Sequence, residues 1–125
     1  LPLHPRTRNM IERSGLTDLA ARLEIVEPVS YLDMIALEKN AAFIVTDSGG
    51  VQKEAFFFSV PCITMRKETE WTETVDIGWN ILTGPDAAKI RAAFDGHFDI
   101  AKAGARPYGA GNAASLIRDA LLGQV

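Results

Sequence analysis

The chain has 125 residues, 47% apolar and 23% charged, a length that suits one domain with its own core and needs no disulfide or structural metal. Thirteen Lys/Arg against sixteen Asp/Glu leave a net charge of −3, which argues against a basic nucleic-acid reader but not against a local anion site. The lone cysteine, Cys62, excludes a disulfide framework and suits a reducing cytoplasm, and no apolar run reaches the ~18–20 residues that span a bilayer.

The sequence opens on Leu1-Pro2-Leu3, which reads as the end of a buried strand and so as a cut from something longer. Pro5 fits a first helical turn, and a helix is expected from Thr7 to Ser14, closed by Gly15. Leu23-Glu24-Ile25-Val26 is a short strand candidate. Ser30, with Asp33 three positions on, caps a helix through Glu38 whose Tyr31, Met34, Ile35 and Leu37 would share a buried face. Ala42–Thr46 is the clearest strand, apolar on both faces as in a covered parallel sheet. After the Asp47-Ser48-Gly49-Gly50 break, a helix runs from Val51 to Phe58, and Pro61–Met65 and Asn80–Thr83 are further strands. Asp86 caps a helix to about Phe94, residues 103–112 form a glycine-bearing loop, and an amphipathic terminal helix covers about 112–123. Alternating strands and helices predict an α/β domain, doubly wound around a parallel sheet.

Chemistry concentrates at Thr46-Asp47-Ser48-Gly49-Gly50-Val51-Gln52-Lys53-Glu54, where a strand passes through a Ser-Gly-Gly turn into a helix. The first amides of a helix lack internal partners and carry the positive end of its dipole. With two glycines allowing close approach and the Ser48 hydroxyl as a further donor, the pattern describes a phosphate site at the carboxyl edge of the sheet. The plain alternative is a capped helix with a tight turn. Glu54, one turn into the helix, could accept hydrogen bonds from two ribose hydroxyls, or could be an exposed carboxylate with a local partner.

Arg66-Lys67-Glu68-Thr69-Glu70-Trp71-Thr72-Glu73 follows a strand. It is either a solvated loop entering a helix or a segment in which Arg66 faces a diphosphate and Thr69 or Thr72 reaches a sugar; position favours the second reading slightly. His4 and Arg6 follow the opening strand at the same expected edge. His97, Trp71, Trp79 and Phe56-Phe57-Phe58 read as structural. No His/Cys/Asp cluster has metal-ligand spacing, so neither a metal nor a cofactor is expected.

Taken in order, His4-Pro5-Arg6-Thr7, Thr46–Ala55, Pro61–Arg66, Thr69–Glu73, Asn80–Gly84 and Pro107–Gly111 resemble the C-terminal half of the non-hydrolysing UDP-N-acetylglucosamine 2-epimerases. The resemblance covers nearly the whole chain. It implies a Rossmann-like domain, residues 1–125, of a two-domain glycosyltransferase-B-like enzyme that holds UDP and a UDP-sugar in the interdomain cleft. It implies that Ser48, Gly49 and Gly50 bind the diphosphate and Glu54 the ribose, with Arg66, His4 and Arg6 contributing. The stretch from Glu27 to Met34 would line the uracil pocket, through backbone groups near Pro28 or Val29 and through Met34. The family inverts C2 of the sugar by anti elimination of UDP and re-addition, with acid/base groups in an N-terminal domain not present here, and commonly works as a homodimer in the cytoplasm. Where many members have an arginine followed by Pro-Glu, this chain has Trp71-Thr72-Glu73, which resembles members that epimerise UDP-2,3-diacetamido-glucuronic acid. Two other readings stay open: the donor domain of a glycosyltransferase with the same architecture, and a free-standing nucleotide sensor.

Overall fold

The computed structural model describes residues 1–96, 98 and 106–123, so His97 and the first part of the predicted 103–112 loop lie outside the described residues. The chain divides into two compact units, Leu1–Asn40 and Ala41–Val125.

The first unit holds α1 (Pro5–Arg13), α2 (Thr17–Ala20) and α3 (Tyr31–Lys39). His4 caps α1, its Nδ1 accepting from the Arg6 amide at 3.2 Å. Gly15 ends α1 in the left-handed region (φ +66°), with its own amide on Glu12 O and that of Leu16 on Ile11 O. α2, a single turn, was not expected from the sequence. Ser30 caps α3 as predicted, accepting from the Asp33 amide. The buried face of α3 differs from the expected one: Tyr31 and Leu37 are exposed, Met34 and Ile35 half-buried, and Glu38 buried. Only Leu3 and Glu38 are buried in this unit.

The strand expected at Leu23–Val26 is reduced to a single parallel bridge between Pro2 and Val26, made by Leu3 N to Val26 O and Val26 N to Leu1 O, both 3.1 Å. The next rung in that register needs the amides of Pro5 and Pro28. Neither proline has an N–H, so the ladder stops.

The second unit is a Rossmann-like α/β arrangement: β1 (Ile44–Thr46), α4 (Gly49–Phe57), β2 (Cys62–Thr64), α5 (Thr72–Asp76), β3 (Asn80–Leu82), α6 (Ala87–Asp95) and α7 (Ala113–Leu121). The three strands run parallel in the order β1-β2-β3, with Thr46, Thr64 and Leu82 in register at their carboxyl ends. The segments that follow them, starting at Asp47, Met65 and Thr83, therefore leave from one edge of the sheet. Central β2 is buried at every position, whereas Ile44 and Val45 of β1 are half-buried. The doubly apolar appearance of Ala42–Thr46 thus belongs to a flanking strand of the described sheet.

α4 ends in a reciprocal pair of hydrogen bonds, Ser59 N to Phe56 O and Val60 N to Ala55 O, while Val60 and Ala55 are both buried. Ser59 occupies the left-handed position (φ +58°) that glycine fills after α1. Ser59→Gly relieves that strain and should raise stability by about 0.5–1 kcal/mol in thermal unfolding. α7 is the predicted terminal helix; none of its residues is buried, and Leu116, Ile117 and Leu121 are exposed.

Candidate functional site

The centre of the site is the start of α4. Ser48 stands at the N-cap, its amide held by Thr46 Oγ1 at 3.0 Å, but its hydroxyl makes no capping bond. α3 and α6 are capped by their own side chains; Asp86, for instance, accepts from the Ala88 and Lys89 amides at 2.9 and 3.0 Å. At α4, as at α2, α5 and α7, no side chain takes that role, so the first-turn amides, at the positive end of the dipole, have no side-chain cap.

Helix α4 begins at Gly49, two residues before the expected start, and neither Gly49 nor Gly50 has a positive φ. Turn geometry therefore does not require glycine at either position. Among the described residues, a Cβ on Gly50 would meet only Ser48 Oγ, at 3.9 Å. A Cβ on Gly49 would lie 3.5 Å from Glu70 Oε2, 3.7 Å from Arg66 Nη1 and 3.9 Å from Trp71 Nε1. The structure thus brings Arg66 beside the helix start. Arg66 makes two hydrogen bonds to Glu70, at 3.2 and 3.0 Å. Those bonds, and then the backbone amide of Glu70, hold its carboxyl below the usual carboxylate range. Glu54 lies one turn into α4, half-buried.

In the first unit His4 is the cap of α1 and Arg6 lies in its first turn, while Val29 precedes the Ser30 cap and Met34 lies on α3. Arg8 bonds Glu27 at 2.7 Å, fastening α1 to the segment expected to line the base pocket.

Three features of the second unit were not anticipated. The first is Trp71, read from sequence as packing only: its indole N–H donates to the Gly49 carbonyl at 2.8 Å, pinning the loop to the first turn of α4. The second is a cation–aromatic stack. Lys53 Nζ lies 4.0 Å from the Trp71 ring centroid and 4.5 Å from that of Tyr108, and Tyr108 packs edge-on to Phe56 and Trp71. Burial first, and then the negative charge of Glu73, push the Tyr108 phenol up to about 12. With its native pKa above the unfolded value, Tyr108 contributes stability that is fully present below about pH 10 and is lost as pH rises through about 12. An ultraviolet titration of the folded chain should show a late tyrosinate step near pH 12 that is absent in Tyr108→Phe.

The third is a buried polar network beneath the site. Gln52 Oε1 accepts from Thr69 Oγ1 at 2.6 Å and from Asn80 Nδ2 at 3.2 Å, while its Nε2 donates to Ser48 O. Asn80 Oδ1 accepts from Thr64 Oγ1 at 2.7 Å, and Thr69 Oγ1 accepts the Trp71 amide. Thr69, one of two candidates to reach a sugar, is therefore spent on positioning the loop. The sequence signal was present but weak: Thr64 and Asn80 are polar residues inside otherwise apolar strands. Trp79 is the packing residue expected, buried and edge-on to Phe56.

Among the described residues no group of three or more His, Cys, Asp or Glu is placed to hold a metal ion, and no helix is long and apolar enough to cross a membrane.

The chain is similar throughout to one group of known proteins. It is 46% identical over 124 residues to the UDP-2,3-diacetamido-2,3-dideoxy-D-glucuronate 2-epimerase of Pseudomonas aeruginosa, covering 97% of this chain and 34% of that protein. A UDP-N-acetylglucosamine 2-epimerase homolog from Methanococcus maripaludis is 54% identical over 92 residues, 71% of this chain and 26% of its own length. Among solved structures, the UDP-GlcNAc 2-epimerase of Methanocaldococcus jannaschii superposes with a TM-score of 0.83 at 41% identity, over 97% of this chain and 34% of that one. The same enzyme solved in complex with UDP-GlcNAc and UDP gives a TM-score of 0.76 at 39% identity, with the same coverage. The chain spans about a third of the length of these relatives. The UDP-N-acetylglucosamine 2-epimerase family profile matches residues 1–122, and the chain belongs to that family.

Proposed function

We propose that residues 1–125 are the UDP-binding domain of a nucleotide-sugar 2-epimerase. The observation that carries this reading is the start of α4: paired glycines and an uncommitted capping position at the carboxyl edge of a parallel sheet, with Arg66 alongside. The amides of residues 49–51 and the Ser48 hydroxyl take the diphosphate, and Glu54 takes the ribose hydroxyls. For His4, Arg6, Val29 and Met34 of the first unit, a nucleotide-binding role rests on the family resemblance alone.

In the reaction, the bond from sugar C1 to the diphosphate oxygen breaks as the C2 proton leaves, giving a glycal and UDP. UDP then adds back to C1 once C2 has been protonated on the opposite face. Negative charge grows on the diphosphate as C1–O breaks, so donors fixed at the start of α4 stabilise the transition state as well as the bound ground state. The acid/base groups for C2 belong to a companion domain outside these 125 residues, and the assembled enzyme is a cytoplasmic homodimer acting on UDP-N-acetylglucosamine or a related UDP-2-acetamido sugar.

Calorimetric titration of the chain with UDP tests the site. Hydrogen bonds to charged groups are worth about 1.5–3 kcal/mol, so Glu54→Ala and Arg66→Ala should each weaken UDP binding by roughly 10-fold or more. Unchanged affinity in both variants would overturn the assignment.

A further inference from the structure

We propose that the cavity between the carboxyl ends of β2 and β3 is a carboxylate subsite for the sugar of the bound nucleotide, with Lys67 and Lys89 as its reading pair. The proposal rests on UDP binding at the start of α4, and adds the class of sugar that would follow it.

The cavity measures about 360 Å³, within the ~300–1,000 Å³ range of small-molecule sites, and Arg66, Lys67, Thr83, Gly84, Asp86 and Lys89 are among its lining residues. Its floor is fixed backbone. Beyond the strand ladder, Thr83 N donates to Thr64 O at 3.0 Å and Gly84 N to Arg66 O at 3.1 Å, while the Thr83 hydroxyl lies within hydrogen-bond distance of the Thr64 and Gly84 carbonyl oxygens. Gly84 is held at φ +62°, and a Cβ there would stand 3.4 Å from Lys67 Cγ. A side chain at residue 84 would thus be strained and would crowd the Lys67 stem.

Charge decides what such a cavity receives. Three cations and one carboxylate line it. Arg66 is already bonded to Glu70, and Asp86 accepts from two α6 amides. Lys67 and Lys89 form no ion pair among the described residues, and they come from different elements: the loop after β2 and the first turns of α6. The balance is an uncompensated positive charge over a preorganised floor.

Position decides which anion. Arg66 borders both this cavity and the Gly49 backbone, so the two sites adjoin at one side chain. A ligand whose diphosphate rests on α4 can place its next group in the cavity. In a nucleotide sugar that group is the pyranose, and a carboxylate at C6 is a charge that two ammonium groups distinguish from a neutral hydroxymethyl.

The test is a calorimetric comparison of UDP, UDP-N-acetylglucosamine and UDP-N-acetylglucosaminuronic acid, the two sugars differing only at C6. The uronate should bind roughly 10-fold tighter than its neutral counterpart, an advantage that shrinks with added salt, as expected for two partly exposed ion pairs. Lys67→Ala/Lys89→Ala should erase the preference without changing UDP affinity, and Lys67→Arg/Lys89→Arg should restore it. Equal affinity for the two sugars, or a preference that survives the double alanine variant, overturns the subsite while leaving UDP binding intact. Loss of the preference in the arginine variant overturns it too. Binding of free glucuronate or inorganic phosphate to the cavity, with no gain from attachment to UDP, would make it a site for a separate anion and also overturns the proposal. Failure of UDP and both sugars to bind would overturn the nucleotide assignment itself, and the subsite with it.

Discussion

Ser48→Asp should raise the melting temperature of the chain and abolish UDP binding. Aspartate is as good an N-cap residue as serine and carries a negative charge to the positive end of the α4 dipole, a gain of about 0.3–1 kcal/mol. The serine hydroxyl makes no capping bond there, so the substitution sacrifices no existing cap. The same carboxylate would sit where the diphosphate is bound. Two unit charges about 4 Å apart repel by about 4 kcal/mol at an effective dielectric constant near 20, enough for a loss of roughly 100-fold or more. Stability and affinity thus move in opposite directions, which separates a ligand site from a merely structural cap. Thermal unfolding and UDP titration on the same preparation check both halves. A variant that binds UDP within about 3-fold of the parent would remove α4 from the site.

Asn80→Leu should cost about 2–3 kcal/mol and lower the melting temperature by about 6–12 °C. The side chain of Asn80 is buried and connects three partners on three elements: Thr64 on β2, Gln52 on α4 and Thr74 on α5. Leucine fills the space but leaves the Thr64 hydroxyl, itself fully buried, without its acceptor. Adding Thr64→Val removes the stranded hydroxyl. The double variant should therefore be more stable than the sum of the two single losses predicts, a coupling of about 1 kcal/mol or more. Additive losses would show that the network does not act as a unit. Because Gln52 also bonds Ser48 O and Thr69 orders the Trp71 loop, Asn80→Leu should loosen the first turn of α4 as well.

The local elements were legible because their signals are local. Pro5 with Gly15, Ser30 with Asp33, and Asp86 each mark a helix end through backbone chemistry within four residues of the mark, or through a closing residue in the left-handed region. Ser48-Gly49-Gly50 pointed to an anion site for the same reason: exposed helix-start amides are a property of the segment itself. What misled was the reading of burial. Leu23–Val26 looks like a strand by residue type, but two prolines remove the amides that its ladder would use. Tyr31 and Leu37 fit a helical face by spacing, yet the chain buries Glu38 instead.

The sequence by itself determined the α/β class and the three strands and helices α4, α6 and α7 of the second unit, since these follow from short-range pattern, while its motifs carried the resemblance to the family. Only the tertiary structure decided how that start is held and what surrounds it. Trp71 lies 22 residues from Gly49 along the chain, Asn80 28 from Gln52, and Tyr108 35 from Glu73. Such pairs meet only once the parallel sheet and the helices beside it have assembled. Spacing in sequence carries no record of that meeting.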